Sequence, residues 1–140
     1  AATGIAERAE AIGGDFLDRP LPTGADVASL VRVMFDHHDD NAMRILRAVR
    51  AALPADGTLL VAEPMAGTKG AEPMGDAYFG FYLMAMGAGR SRTPQRVSEM
   101  LQAAGFGAIR RCPRASRCRP VCWLPDALPF DLNRPIGNHC

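Results

Sequence analysis

The sequence predicts an α/β fold, a mostly parallel sheet with flanking helices, on three observations. Two short apolar runs, residues 25–35 and 58–62, are separated by a stretch of helical period. The connections between them are short, which suits a right-handed parallel crossover. Each run also stops at an ionisable residue, Asp36 in one case and Glu63 in the other, and open α/β sheets hold their ligands outside the carboxyl ends of such strands.

In chain order, residues 6–11 are rich in Ala and Glu and read as the tail of a helix leading into a short strand at 11–14, with Asp15 and Phe16 just beyond its end. Pro20, Pro22 and Gly24 make residues 17–24 a loop. Residues 25–35 have the continuous apolar, branched character of a buried parallel strand. Asp39 or Asp40 is a suitable N-cap for the next helix, in which Ala42, Ile45, Leu46, Val49 and Leu53 share one face and Arg44, Arg47 and Arg50 largely the other. Pro54 and the Asp56-Gly57 turn end it. Residues 66–75, with Lys69 and Glu72, are a glycine-containing loop. Residues 76–86 are apolar almost all round, and a helix of that kind is buried on several sides or lines an apolar pocket. Thr93-Pro94 supplies an N-cap with proline at the first helical position, Val97, Met100, Leu101 and Ala104 the inward stripe, and Gly105 the residue past the end. Residues 106–111 suit a returning strand. From Cys112 onward five prolines and no sustained period predict an irregular tail over 112–140.

Composition removes several function classes. With 16 Lys+Arg against 15 Asp+Glu in 140 residues, the charge balance gives no global basis for a nucleic-acid or membrane-surface partner. No stretch approaches the roughly 18 apolar residues of a membrane span, and no signal segment opens the chain, so a cytoplasmic location is expected. The chain begins Ala1-Ala2-Thr3-Gly4 rather than with Met and reads as part of a longer one. Cys112, Cys118, Cys122 and Cys140 form neither a disulfide framework nor a paired zinc signature, and reduced thiols are expected.

The ionisable clusters carry the chemistry. Asp15-Phe16 is either a turn aspartate with a core phenylalanine or a carboxylate and ring placed to hold an adenine. Asp36-His37-His38-Asp39-Asp40 is rich in metal-ligand types, but adjacent residues rarely converge on one ion and no distant partner set completes a site, so no metal is expected. The same run supplies helix-start carboxylates and groups able to move a proton. Glu63 is either a surface carboxylate at a strand exit or faces the same crevice as Asp36 and His37. No G-x-G-x-x-G lies between a strand and a helix, so a dinucleotide cradle is missing.

Several of these stretches together resemble S-adenosylmethionine-dependent O-methyltransferases of the small-molecule, acetylserotonin type. They are Gly13-Gly14-Asp15-Phe16, Leu30-Val31-Arg32-Val33-Met34-Phe35-Asp36, the helix from Ile45-Leu46-Arg47 to Leu53-Pro54, the strand to Glu63-Pro64, and Arg92-Thr93 through Leu101-Gln102-Ala103-Ala104-Gly105-Phe106. The resemblance spans roughly residues 4–111. The segment 75–86 with Gly89-Arg90 is most similar to the bacterial carotenoid branch, the hydroxyneurosporene and demethylspheroidene O-methyltransferases. It implies the carboxyl-terminal half of a Rossmann-like class I methyltransferase domain in residues 1–111, S-adenosyl-L-methionine as cofactor, and an apolar hydroxylated acceptor, a hydroxycarotenoid.

The same resemblance implies the site. Asp15 and Phe16 stand where the family holds the adenine, with Arg32 as a basic residue nearby, and Phe79, Tyr82 and Met86 face the acceptor. Glu63 takes the place of a carboxylate that flanks a catalytic histidine, but Phe35 occupies that histidine's position and Ser91 that of a second glutamate. A phenyl ring takes no proton, so Asp36 or His37, with Glu63 nearby, is the expected base. The resemblance further implies a cofactor loop and helical dimerisation domain upstream, a homodimer in full length, and a carotenoid substrate that suits peripheral membrane association. The Arg/Pro/Cys tail departs from the family's apolar ending and reads like out-of-frame sequence. An isolated chain is expected to be inactive, and the alternative is a non-catalytic binding or dimerisation module derived from a methyltransferase half.

Overall fold

The computed structural model describes residues 8–69, 72–111 and 123–124. Its centre is a parallel pair of strands, β1 (Val27–Val31) and β2 (Thr58–Ala62), in register from Val27 opposite Thr58 to Val31 opposite Ala62. Helix α1 (Asp39–Ala52) connects them, so the strand-helix-strand unit is present as expected. A π-helical turn (Pro73–Tyr78) runs into α2 (Phe79–Met86), and α3 (Pro94–Ala103) follows. Two-residue strands β3 (Arg110–Arg111) and β4 (Trp123–Leu124) pair antiparallel. Apart from that backbone pairing, the expectations for the tail and its cysteines lie outside the described residues.

The core forms between the strands, α1 and α3. The predicted α1 stripe of Ala42, Ile45, Leu46, Val49 and Leu53 is buried throughout and meets Val97, Met100, Leu101 and Ala104 of α3, with Leu30, Leu59 and Val61 from the strands. The ends of α3 follow local chemistry. Thr93 Oγ1 accepts the Arg96 amide with Pro94 at the first position. Beyond the C-terminus Gly105 takes φ +94°, and the Gly105 and Phe106 amides bond back to the carbonyls of Gln102 and Leu101, the paired pattern that a left-handed glycine permits.

Four expectations are corrected. Residues 8–14 form neither helix nor strand, because among the described residues no neighbouring strand pairs with them. The first strand stops at Val31 instead of reaching residue 35: Arg32 turns the backbone to φ +56°, and the next amides bond to a side chain rather than to a strand. That strand is also not buried on both faces, since Val27 and Val31 are each 54% exposed and among the described residues β1 pairs with β2 alone. Finally, His38 occupies the N-cap position of α1 without a side-chain cap, and Asp39 lies in the first turn with its carboxylate serving two arginines.

The segment predicted as one apolar helix over 76–86 starts as a π turn, held by the Gly67 amide donating to Asp76 Oδ1 at 2.9 Å. Only one side of α2 is covered. Phe79 and Leu83 are buried, while Tyr78, Phe81, Met84 and Met86 are exposed, so burial on several sides does not hold within the described residues. After α2, Gly87 and Gly89 both take positive φ, but a Cβ on Gly87 would meet open space, whereas on Gly89 it would sit 2.5 Å from the Phe35 carbonyl and 2.6 Å from Leu83 Cδ2. Gly87→Ala should therefore cost about 1 kcal/mol of left-handed strain, and Gly89→Ala at least about 2 kcal/mol because the clash is added. Denaturant titration of both variants checks this; equal costs would contradict it.

Candidate active site

The site is built on the turn that follows β1. Residues 34–36 form a single 3-10 turn, too short to hold its shape by its own hydrogen bonds. Its amide end is held from 30 residues away, where Glu63, at the end of β2, accepts the Val33 and Met34 amides on Oε1 at 2.9 and 2.8 Å. Its carbonyl end is held by Arg92, whose Nη1 donates to the Met34 carbonyl at 2.7 Å and Nη2 to the His37 carbonyl at 2.7 Å. Arg92 Nε donates to Asp39 Oδ1 at 3.0 Å. Both side chains are almost fully buried, Glu63 at 3% exposure and Arg92 at 4%. An anion thus faces the turn's amides and a cation its carbonyls, the pairing that backbone dipoles favour at each end.

Phe35, at the centre of the turn, is 3% exposed and meets Phe79 edge-on at 5.5 Å and Tyr82 at 5.9 Å between ring centroids. The Arg32 guanidinium lies 5.2 Å from the Phe79 ring centre and 5.9 Å from that of Phe35, a distance at which cation and ring attract. The Arg90 amide and the bare Cα of Gly89 pack against the Phe35 carbonyl. A cavity of about 10 Å³, room for one water, lies among Met34, Phe35, Glu63, Pro64, Met65, Arg90, Arg92 and Val97.

Two carboxylate oxygens stand out. Asp36 Oδ1 and Glu63 Oε2 are buried, and among the described residues no donor reaches either. Burial pushes the Glu63 carboxyl above its ordinary value, the amides of Met34, Val33 and Phe35 pull it back, and the Asp36 carboxylate pushes it up again. Asp39 goes the other way: the hydrogen bond from Arg96 most of all, and that from Arg92, hold its carboxyl low against the cost of burial.

The remaining predicted residues fall on either side of this turn. Asp15 closes a local turn, its Oδ1 accepting the Leu17 amide at 2.8 Å and its carbonyl the amides of Asp18 and Arg19. Phe16 is 39% exposed and meets the His37 ring edge-on at 5.7 Å. The structure therefore gathers Phe35, Phe79, Tyr82 and Arg32 into one group, Asp36 with Glu63 in a second, and Phe16 with His37 in a third. Met86, 60% exposed near the end of α2, joins none of these groups. Ser91 donates to the Gly75 carbonyl at 3.5 Å. Sequence reasoning missed Arg92 and Gly89 as parts of the site. No spacing signals either one, because each is defined by a backbone more than 50 residues earlier.

Fold and site together define part of a class I methyltransferase-type α/β domain. A family model described as O-methyltransferase domain matches residues 2–107. The demethylspheroidene O-methyltransferase of Rhodobacter capsulatus is 46% identical over 104 residues, 74% of this chain and 26% of that protein. The enzyme of the same name from Cereibacter sphaeroides is 46% identical over 110 residues, 79% of this chain and 29% of that protein. Among solved structures, LaPhzM matches at a TM-score of 0.74 and 30% identity, covering 87% of this chain and 36% of that one. Human N-acetylserotonin methyltransferase in complex with SAM matches at 0.63 and 25% identity, covering 80% and 32%. The chain belongs to the O-methyltransferase domain family, and spans between a quarter and two fifths of the relatives named here.

The Glu63 environment has a measurable consequence. Its folded-state value lies above the unfolded one, so the folded protein binds this proton more tightly and the group's contribution makes stability fall as pH rises from the unfolded value, about 4.3, through the folded one. Glu63→Gln keeps an acceptor for the amides and removes the titration. As the pH rises above the unfolded value the wild type should lose more unfolding free energy than the Gln variant. Parallel stability curves would contradict the assignment.

Proposed function

We propose that the complete protein is an S-adenosylmethionine-dependent O-methyltransferase acting on a hydroxyl of an apolar small molecule, a hydroxycarotenoid, and that this chain supplies the carboxyl half of its catalytic domain. The observation that carries the reading is the aromatic group of buried Phe35 and Phe79 with partly buried Tyr82, beside Asp36 of the same turn, which has an unpaired buried oxygen. An apolar acceptor has a wall to lie on, and its hydroxyl a carboxylate within the same turn. The 46% identity to two demethylspheroidene O-methyltransferases supports the carotenoid class.

The residues present fit the cofactor's adenosine. Phe16 is partly exposed beside the turn, and Asp15 commits only one oxygen to its own turn, so a ring face and a carboxylate oxygen remain for an adenine and its exocyclic amine. In this reading Asp15 and Phe16 hold that end and Arg32 adds positive charge between it and the aromatic wall. When bound, S-adenosylmethionine would supply an electrophilic methyl for the acceptor oxygen, whose hydroxyl proton must then be taken up. Phe35 cannot take that proton. Asp36 accepts it, with Glu63 alongside, and His37, turned onto Phe16, orients the cofactor side. Much of the acceleration then comes from placing the oxygen in line with the methyl.

The exposed apolar side chains Tyr78 of the π turn and Phe81, Met84 and Met86 of α2 support a second element of the reading, contact with another polypeptide segment in a homodimer. Among the described residues no helix is long and apolar enough to cross a membrane, and peripheral association would serve delivery of a carotenoid. The test is methylation of demethylspheroidene by the complete protein with S-adenosylmethionine. Asp36→Asn should lower kcat by about 100-fold, in the range for loss of a general base, and His37→Ala by less than about tenfold. The reverse order would move the base to His37, and no methylated product from any hydroxylated carotenoid would overturn the substrate class.

A further inference from the structure

We propose that Arg92 is a positioning residue for methyl transfer, the group that fixes the segment 34–37 so that Phe35 and Asp36 meet the acceptor at the required distance. The inference rests on the O-methyltransferase reading and adds a residue that makes no contact with substrate in it. This guanidinium makes four hydrogen bonds and one ion-pair contact. Nε reaches Asp39 Oδ1 at 3.0 Å, Nη1 the Met34 carbonyl at 2.7 Å and the Arg90 carbonyl at 3.2 Å, and Nη2 the His37 carbonyl at 2.7 Å with Asp39 Oδ1 2.9 Å away. With 4% of its surface exposed, Arg92 acts through the groups it holds.

Those groups bracket the reacting segment. Met34 and His37 flank Phe35 and Asp36, and Arg90 is the residue whose amide bonds to the Phe35 carbonyl at 2.8 Å. Asp39 opens α1, so the same guanidinium ties the turn to the first turn of the helix behind it. The turn needs such a tie because it follows a residue in a left-handed conformation, Arg32 at φ +56°, which an unconstrained arginine rarely adopts. A lysine offers three donors on one nitrogen and cannot reach acceptors spread around a planar fork. Arg92 is thus specified by geometry, not by charge alone.

The test compares Arg92→Lys and Arg92→Met with wild type in the complete protein, with turnover expressed per cofactor site titrated by S-adenosylhomocysteine. In Arg92→Met kcat should fall by about 100-fold, the scale of a displacement near 1 Å, while KM for both substrates changes by less than about threefold. Arg92→Lys should fall between. Amide hydrogen exchange of the same variants should show faster exchange at Val33, Met34 and Arg90, with Leu46 and Val49 in α1 still protected. Unchanged turnover per titrated site, or a loss confined to KM, would overturn the proposal. If the wild type methylates no hydroxylated acceptor, the O-methyltransferase reading fails, and exchange decides alone: unaltered protection at Val33, Met34 and Arg90 would overturn the clamp as well.

Discussion

A single 3-10 turn in a protein interior has amides and carbonyls that it cannot satisfy by itself, and an unpaired buried polar group costs about 1–3 kcal/mol. Around residues 33–38 that cost is met from outside, by a carboxylate on the amide end and a guanidinium on the carbonyl end. Neither Glu63 nor Arg92 belongs to the segment it holds. Each is itself fixed by a rigid element, Glu63 by the end of β2 and Arg92 by the approach to α3. The turn is therefore referenced to the sheet on one side and to the helix layer on the other, which is what a reacting segment requires if its side chains are to be placed to a fraction of an ångström.

This arrangement explains how a phenylalanine can occupy the centre of the site. Phe35 contributes area and shape: it is packed by Phe79 and Tyr82, covered on its carbonyl side by Gly89, and faced by Arg32. The next residue, Asp36, has a buried unpaired oxygen, as does Glu63, and its charge acts on the Glu63 carboxyl. Burial, and then the Asp36 charge, push the Glu63 carboxyl above its ordinary value.

The parts of this structure legible in the sequence are those set by neighbours in the chain. The inward stripes of α1 and α3, the Thr93-Pro94 start, the Gly105 end and the span of β2 all follow from periodicity and local capping. What was not legible was set from a distance. Nothing within residues 25–35 says that the strand stops at Val31, because the side chain that captures the next amides is Glu63. Asp39 looked like a helix cap and instead serves Arg92 and Arg96. The apolar character of residues 76–86 indicated a helix in need of cover, and within the described residues only the side bearing Phe79 and Leu83 receives it. Glu63 was ambiguous between surface and crevice until its burial was seen, and Arg92 drew notice only through the resemblance.

The central claim is that Glu63 and Arg92 stabilise one and the same turn from its two ends, and a double-mutant cycle measures that directly. Unfolding free energies of wild type, Glu63→Gln, Arg92→Met and the double variant give the coupling between them. If both act through residues 33–38, the second substitution removes less than the first, because the turn is already released. A coupling of at least about 1 kcal/mol is then expected, within the range for residues that share a network. Additivity to within about 0.3 kcal/mol, the behaviour of independent sites, would show that the two side chains hold separate parts of the structure and would contradict the account.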